Sequence, residues 1–184
     1  LNACQRRHSA RVSYYCSCKL LERRSDEKIS SARGKNQRYL RGSFFKVTKP
    51  FLVYTGNLYP HKNVGVLIQA AERLKINVDI VCARSVFERR LTKSSYVRYL
   101  GRLSDQDLIK LYKQASAFVF PSLIEGFGLT GLEAMSVGLP VLASNATVLP
   151  EIYGDAAVYF DPRSQDQFVH QLERFFSDQG KILA

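Results

Sequence analysis

Two stretches of the chain combine glycine, charge and a helix start in the way an anion site requires. The first is Gly56-Asn57-Leu58-Tyr59-Pro60-His61-Lys62-Asn63. It delivers Lys62 to the start of a predicted helix, where its ammonium and the helix dipole can act on one anion, an arrangement suited to phosphate. Taken alone, Lys62 reads as a surface lysine and His61 as a loop or capping residue. The second stretch runs Pro121-Ser122-Leu123-Ile124-Glu125-Gly126-Phe127-Gly128-Leu129-Thr130-Gly131-Leu132-Glu133-Ala134-Met135. Its glycines let the backbone pass close to a ligand, and a helix opening near Gly128 to Thr130 aims free N–H groups at it. Glu125 precedes the turn and Glu133 lies about one helical turn inside, so both carboxylates are expected to face one cleft. A carboxylate there can accept both hydroxyls of a ribose diol.

The run Gly126-Phe127-Gly128-Leu129-Thr130-Gly131 also satisfies the G-x-G-x-x-G pattern of dinucleotide-binding folds. That fingerprint belongs to the first strand-turn-helix unit, with an acid closing the next strand. Here it follows a fourth strand, the next strand ends in Ala143-Ser144-Asn145, and Glu151 falls in a Leu149-Pro150 turn. A nicotinamide enzyme is therefore not the expectation.

The elements that must position these residues follow from hydrophobic pattern and turn chemistry. Phe51 to Tyr54 is an apolar run closed by Thr55-Gly56-Asn57, with Pro60 blocking a helix. Asn63 is a candidate N-cap for a helix whose apolar face is Val64, Leu67, Ile68, Ala71 and Leu74. Further strands are predicted at Val78 to Ala83, Val97 to Leu100, Ala117 to Pro121, Val141 to Ala143 and Val158 to Phe160. Between them lie a short helix over Ser85 to Thr92, a Ser104-capped run Leu108 to Ala115, and Leu129 to Val137 ended by Gly138. Gln165 to Phe176 closes the series as a helix. Mostly apolar strands alternating with helices imply an α/β, Rossmann-like parallel sheet of about six strands with helices on both faces. The expected order is 3-2-1-4-5-6, with the ligand where the loops after strands one and four meet.

The 184 residues, 46% hydrophobic and 23% charged, suit one soluble globular domain and exclude disordered and fibrous classes. No apolar run approaches the length of a membrane span, and the first residues lack a secretory apolar segment, so a cytoplasmic home is expected. The formal net charge of +11 is unevenly placed. Residues 1–50 carry 13 Lys and Arg against 3 acids, and residues 51–184 carry 14 against 13. A domain boundary is therefore expected near Lys49-Pro50, dividing a basic, poorly ordered arm (1–49) from a folded domain (50–184). Cys4, His8, Cys16 and Cys18 in the arm have ligand types for zinc, but Cys-x-Cys is not the usual knuckle spacing, and free thiols are expected. Cys82 is expected to be a small buried hydrophobe at a strand end.

The string Glu125-Gly126-Phe127-Gly128-Leu129-Thr130-Gly131-Leu132-Glu133-Ala134-Met135 closely resembles the Glu-x7-Glu signature of retaining glycosyltransferases of family 4, which have the two-domain GT-B architecture. Tyr54-Thr55-Gly56-Asn57-Leu58-Tyr59-Pro60-His61-Lys62-Asn63 resembles that family's donor-phosphate loop, in the Pro-His-Lys-Asn variant of mannosyltransferase-like members. Gly101-Arg102-Leu103-Ser104, Phe120-Pro121-Ser122, Gly138-Leu139-Pro140-Val141 and Leu149-Pro150-Glu151 match in order and spacing, so the resemblance spans 51 to about 176.

The resemblance implies one half of a GT-B enzyme, the donor-binding domain. Lys62 would bind the donor diphosphate, Glu133 the ribose hydroxyls and Glu125 the transferred sugar. The backbone of Gly126, Phe127, Gly128, Leu129 and Thr130 would contact phosphate and sugar, and that around Leu103 would face the base. No metal or cofactor is implied beyond the nucleotide-sugar substrate. Retention would follow from acceptor attack on the face that the diphosphate leaves. Asn57 stands where the family usually has an arginine, which leaves Lys62 as the main cation expected at the diphosphate, with Arg102 a candidate to compensate. Residues 1–50 match neither the acceptor domain nor its glycine loop, and the helical segment that crosses back is also expected to be missing.

The expected activity is transfer of a hexose, with mannose the candidate, to a glycan or lipid-linked acceptor at the inner face of the membrane. Two alternatives stay open: a non-catalytic nucleotide-binding or partner-docking module, and nucleic-acid binding through the basic arm, which the near-neutral domain makes the less expected.

Overall fold

The structure, a computed structural model, describes residues 50–83 and 86–178. The basic segment 1–49, with Cys4, His8, Cys16 and Cys18, lies outside the described residues.

Six strands form one parallel sheet: β1 (Phe51–Thr55), β2 (Asn77–Val81), β3 (Val97–Gly101), β4 (Ala117–Phe120), β5 (Val141–Ser144) and β6 (Ala157–Phe160). Their order is β3-β2-β1-β4-β5-β6, as the alternation predicts. Parallel pairing needs a crossover between successive strands. These are α1 (Val64–Leu74), a 3-10 helix at Val86–Arg90, α2 (Asp105–Gln114), α3 (Leu129–Ser136) and α4 (Leu149–Tyr153). The last element is α5 (Gln165–Asp178).

Side chains alternate across the strands and build a separate core on each face. Leu52 and Tyr54 of β1 and Ala117 and Val119 of β4 pack with Leu67, Ile68 and Ala71 of α1 and Phe168, Leu172 and Phe176 of α5. Val53, Phe118 and Phe120 face the other way, onto Tyr112 of α2, Ala134 of α3 and Leu149 and Tyr153 of α4. Because both faces are covered, β4 and β5 are buried at every residue, and this is why their sequences read as unbroken apolar runs. Each fully buried Leu or Ile of α1 contributes about 1.5–3 kcal/mol, which no helix of this length would gain from propensity alone.

Several boundaries follow the sequence signals. Ser104 accepts the Asp107 N–H at 3.2 Å as the N-cap of α2, and α3 stops before Gly138, whose φ of +80° ends the helical path. Cys82 is buried just past β2. Burial first, and the Glu88 charge second, pushes its thiol pKa up, so it stays a protonated hydrophobe.

Two expectations are corrected and one is refined. Asn63 holds the N-cap position of α1 without capping it: its backbone is left-handed (φ 53°), and its Nδ2 donates instead to the Pro162 carbonyl at 2.8 Å. The short helix expected over Ser85 to Thr92 is found as a 3-10 helix at Val86–Arg90. Leu149-Pro150 opens α4 rather than forming a turn, since proline in the first helical turn lacks only an N–H that would have no acceptor.

At the outer edge, Arg98 of β3 lies in register with Asp79 of β2 and grips its carboxylate twice, at 2.9 and 2.7 Å.

Candidate functional site

The loops leaving β1 and β4 emerge side by side, because these strands are neighbours whose onward connections run to opposite sides of the sheet. The loop after β1 is anchored at Gly56, whose N–H donates to the Val81 carbonyl at 3.0 Å. Tyr54 Oη donates to the Asn57 carbonyl at 2.6 Å, and Asn57 Oδ1 accepts the Tyr59 N–H at 3.2 Å. A 3-10 turn at Pro60–Lys62 then brings Lys62 back over the sheet.

Lys62 Nζ meets Glu125 Oε1 at 2.5 Å, with both side chains largely buried, and lies 5.7 Å from the centre of the Phe120 ring. A second link joins the same loops through the Leu123 N–H, which donates to the His61 carbonyl at 2.7 Å. Thr147, from the loop after β5, holds the Glu125 backbone at both ends: its Oγ1 accepts the Glu125 N–H at 3.1 Å and donates to the Glu125 carbonyl at 3.3 Å. Ser122, beside this joint, is fully buried, and its Oγ has no hydrogen-bond partner among the described residues.

Beyond Glu125 the chain runs through exposed Gly126 and Phe127 to Gly128, whose φ of +84° turns it into α3. The Leu129 and Thr130 N–H groups fall in the first turn of that helix, where no intrahelical acceptor serves them. Glu133 lies one turn further and is exposed. Its charge reaches Tyr112, whose pKa is pushed up to about 12, mainly by burial. Tyr112 Oη donates to Thr55 Oγ1 at 3.0 Å at the end of β1.

The structure thus joins Lys62 to Glu125 directly and leads from Glu125 through Gly126, Phe127, Gly128, Leu129 and Thr130 into α3. The two carboxylates differ in setting, Glu125 being paired and largely buried and Glu133 exposed. Asn57 is exposed at the head of the first loop. Leu103 packs at the fringe of the core that carries α2 and α3, while Arg102 is exposed after β3. Neither pattern nor motif in the sequence marks Thr147 or Tyr153, and Tyr54 heads the first motif with no local sign that its hydroxyl braces the loop. Nor does either mark the pairing of Lys62 with Glu125.

Residues 36–183 match the family described as Glycosyl transferases group 1. The chain belongs to that family. This group 1 domain is 38% identical over 150 residues to the O-antigen chain mannosyltransferase B of Escherichia coli, covering 73% of this chain and 39% of that protein. It is 34% identical over 171 residues to the serotype-specific mannosyltransferase WbdA of the same species, covering 85% of this chain and 20% of the relative. The chain therefore spans about two fifths or less of the length of these curated relatives. Among solved structures it resembles the lipopolysaccharide outer core galactosyltransferase WaaB in its apo form, with a TM-score of 0.60 and 26% identity over 72% of this chain and 42% of that one. It also resembles Anabaena HepE in complex with UDP and glucose, with a TM-score of 0.62 and 23% identity over 73% and 41% of the two chains. The sheet and its flanking helices are those of a Rossmann-like domain of the GT-B glycosyltransferase fold.

Among the described residues, no three or more His, Cys, Asp or Glu cluster as a metal ion would require. No helix among them is long and apolar enough to cross a membrane.

Proposed function

We propose that this group 1 domain binds the nucleotide-sugar donor of a retaining, family 4-type glycosyltransferase that moves a hexose, with mannose favoured, to a glycan or lipid-linked acceptor. The observation that carries the proposal is the joint of Lys62 and Glu125 at 2.5 Å, beside the glycine turn that opens α3. It brings a cation, free N–H groups and a carboxylate to the strand ends where doubly wound sheets bind ligands. The likeness to an O-antigen chain mannosyltransferase and to a serotype-specific mannosyltransferase of Escherichia coli supports the choice of mannose and of a cell-surface polysaccharide as product class.

In this reading Glu125 is the counter-ion of Lys62 until the donor arrives. The diphosphate then takes over the lysine, and the freed Glu125 carboxylate turns to the hydroxyls of the sugar. Backbone N–H groups at Leu129 and Thr130 share the phosphate charge, exposed Glu133 accepts the ribose hydroxyls, and the backbone at Leu103 faces the base. Asn57 contributes no charge. The chemical demand is departure of a nucleoside diphosphate as positive charge grows at the anomeric carbon, and fixed donors at the leaving oxygens lower that barrier most. The acceptor attacks on the face the diphosphate leaves, so configuration is retained. The reading assigns no metal or cofactor. It places the acceptor site in protein beyond this chain, and the reaction at the cytoplasmic face of a membrane.

Calorimetric titration with UDP, GDP and ADP, then with the matching sugar nucleotides, tests it. Saturable binding of one nucleotide, lost in Glu133→Ala while the thermal midpoint is kept, is the expected result. Equal binding by Glu133→Ala and the parent removes the ribose role from Glu133.

A further inference from the structure

We propose that Tyr153 is a positioning residue for the donor diphosphate: its hydroxyl fixes the Gly128–Leu129 peptide so that the Leu129 N–H faces the site. This deepens the donor-binding reading and rests on it.

Tyr153 ends α4, outside both site loops, and is buried. Its Oη donates to the Gly128 carbonyl at 2.5 Å, and that carbonyl oxygen also accepts the Gly131 N–H at 3.2 Å. The peptide between Gly128 and Leu129 is planar and trans, so its N–H points opposite to its carbonyl. A carbonyl drawn inward to Tyr153 therefore turns the Leu129 N–H outward, and Leu129 is 61% exposed. An amide so held meets an anion without first paying to reorient.

The glycines of this loop make room for the tyrosine. A Cβ at Gly128 or at Gly131 would overlap Tyr153 Oη, and at Gly128 it would also meet Leu149 Cδ2 at 2.6 Å. The Gly128…Gly131 spacing is thus explained from beneath the loop, independently of any ligand above it. The Tyr153 ring stacks on Phe120, centroids 6.4 Å apart, and Phe120 in turn lies under the Lys62 ammonium. One buried side chain therefore supports both the amide and the lysine of the site. Burial, reinforced by the Glu125 charge, keeps the hydroxyl protonated and donating well above neutral pH.

The test compares the parent chain with Tyr153→Phe, which keeps the ring and its stacking and removes the donor. UDP, GDP and ADP are titrated against each, together with uridine, guanosine and adenosine, and thermal midpoints are recorded. The expected result is a diphosphate bound about tenfold more weakly by Tyr153→Phe, with the matching nucleoside bound as before. In the parent, the Leu129 amide proton should move downfield on adding the diphosphate and stay in place with the nucleoside. An unmoved amide, or equal diphosphate affinity in parent and variant, overturns the proposal while the donor reading stands. Equal weakening of diphosphate and nucleoside overturns it in favour of a purely structural tyrosine. A folded parent that binds none of the three diphosphates sinks the donor reading, and this proposal with it.

Discussion

The loops after β1 and β4 are both braced from below by a tyrosine hydroxyl on a backbone carbonyl, but the braces come from different distances. Tyr54 is three residues from the Asn57 carbonyl it holds, and it belongs to the strand that launches the loop. Tyr153 is 25 residues from Gly128 and reaches it from another helix. The brace of the first loop is thus built into its own strand, whereas that of the second exists only with α4 docked on the sheet. The glycines differ in the same sense. A Cβ at Gly56 would meet Tyr54 Oη at 2.9 Å, while one at Gly131 would overlap Tyr153 Oη with the ring carbons close behind.

This contrast is most sharply broken by alanine. Gly131→Ala should destabilise the domain by about 3 kcal/mol, and Gly56→Ala by about 1 kcal/mol, because the added Cβ overlaps Tyr153 Oη and its ring carbon in the first case and meets Tyr54 Oη at 2.9 Å in the second. Urea unfolding of the two variants checks this, and equal costs would mean that the second loop is no more dependent on its support than the first. A smaller effect tests how the loops are joined. Lys62→Met should cost about 2 kcal/mol by leaving Glu125 without its counter-charge, and adding Glu125→Gln should recover part of that loss. If the double variant is no better than Lys62→Met, the loops are coupled by something other than this pair. The smallest effect is invisible near neutral pH. Tyr54, Tyr112 and Tyr153 keep their protons in the folded state to higher pH than in the unfolded chain. Above about pH 10 the unfolded state therefore binds fewer protons, and stability falls as pH rises, for Tyr112 until about 12. Unfolding midpoints should fall slightly once an unfolded Cys82 thiol ionises, above about pH 8, and more steeply beyond about 10, the steep part being reduced in Tyr54→Phe and in Tyr153→Phe.

The strand order was legible because each strand is short, apolar and separated from the next by turn chemistry, and a doubly covered parallel sheet leaves few ways to connect them. Ser104 and Gly138 were legible because a cap and a left-handed stop act within a few residues of themselves. What escaped was non-local or locally ambiguous. Pro150 is compatible with a turn and with the first turn of a helix, and packing of Leu149 and Tyr153 against β4 decides for the helix. Asn63 has the side chain of a cap, but the tight turn before it forces a left-handed backbone. Lys62 and Glu125 lie 63 positions apart. Their types suggested one ligand, and nothing in their local sequence indicated that they would neutralise each other.

The clasp between Arg98 and Asp79 bears on how the sheet avoids error. β3 is an outermost strand, and an outermost strand has one neighbour to fix its alignment. The Asp79 carboxylate is almost wholly buried, whereas the Arg98 side chain is mostly in solvent. Sliding β3 by one residue would turn the arginine to the opposite face and abandon a carboxylate in the interior, a fault costing several kcal/mol. The edge is thus proofread by charge, since only one register of β3 gives the buried carboxylate its partner.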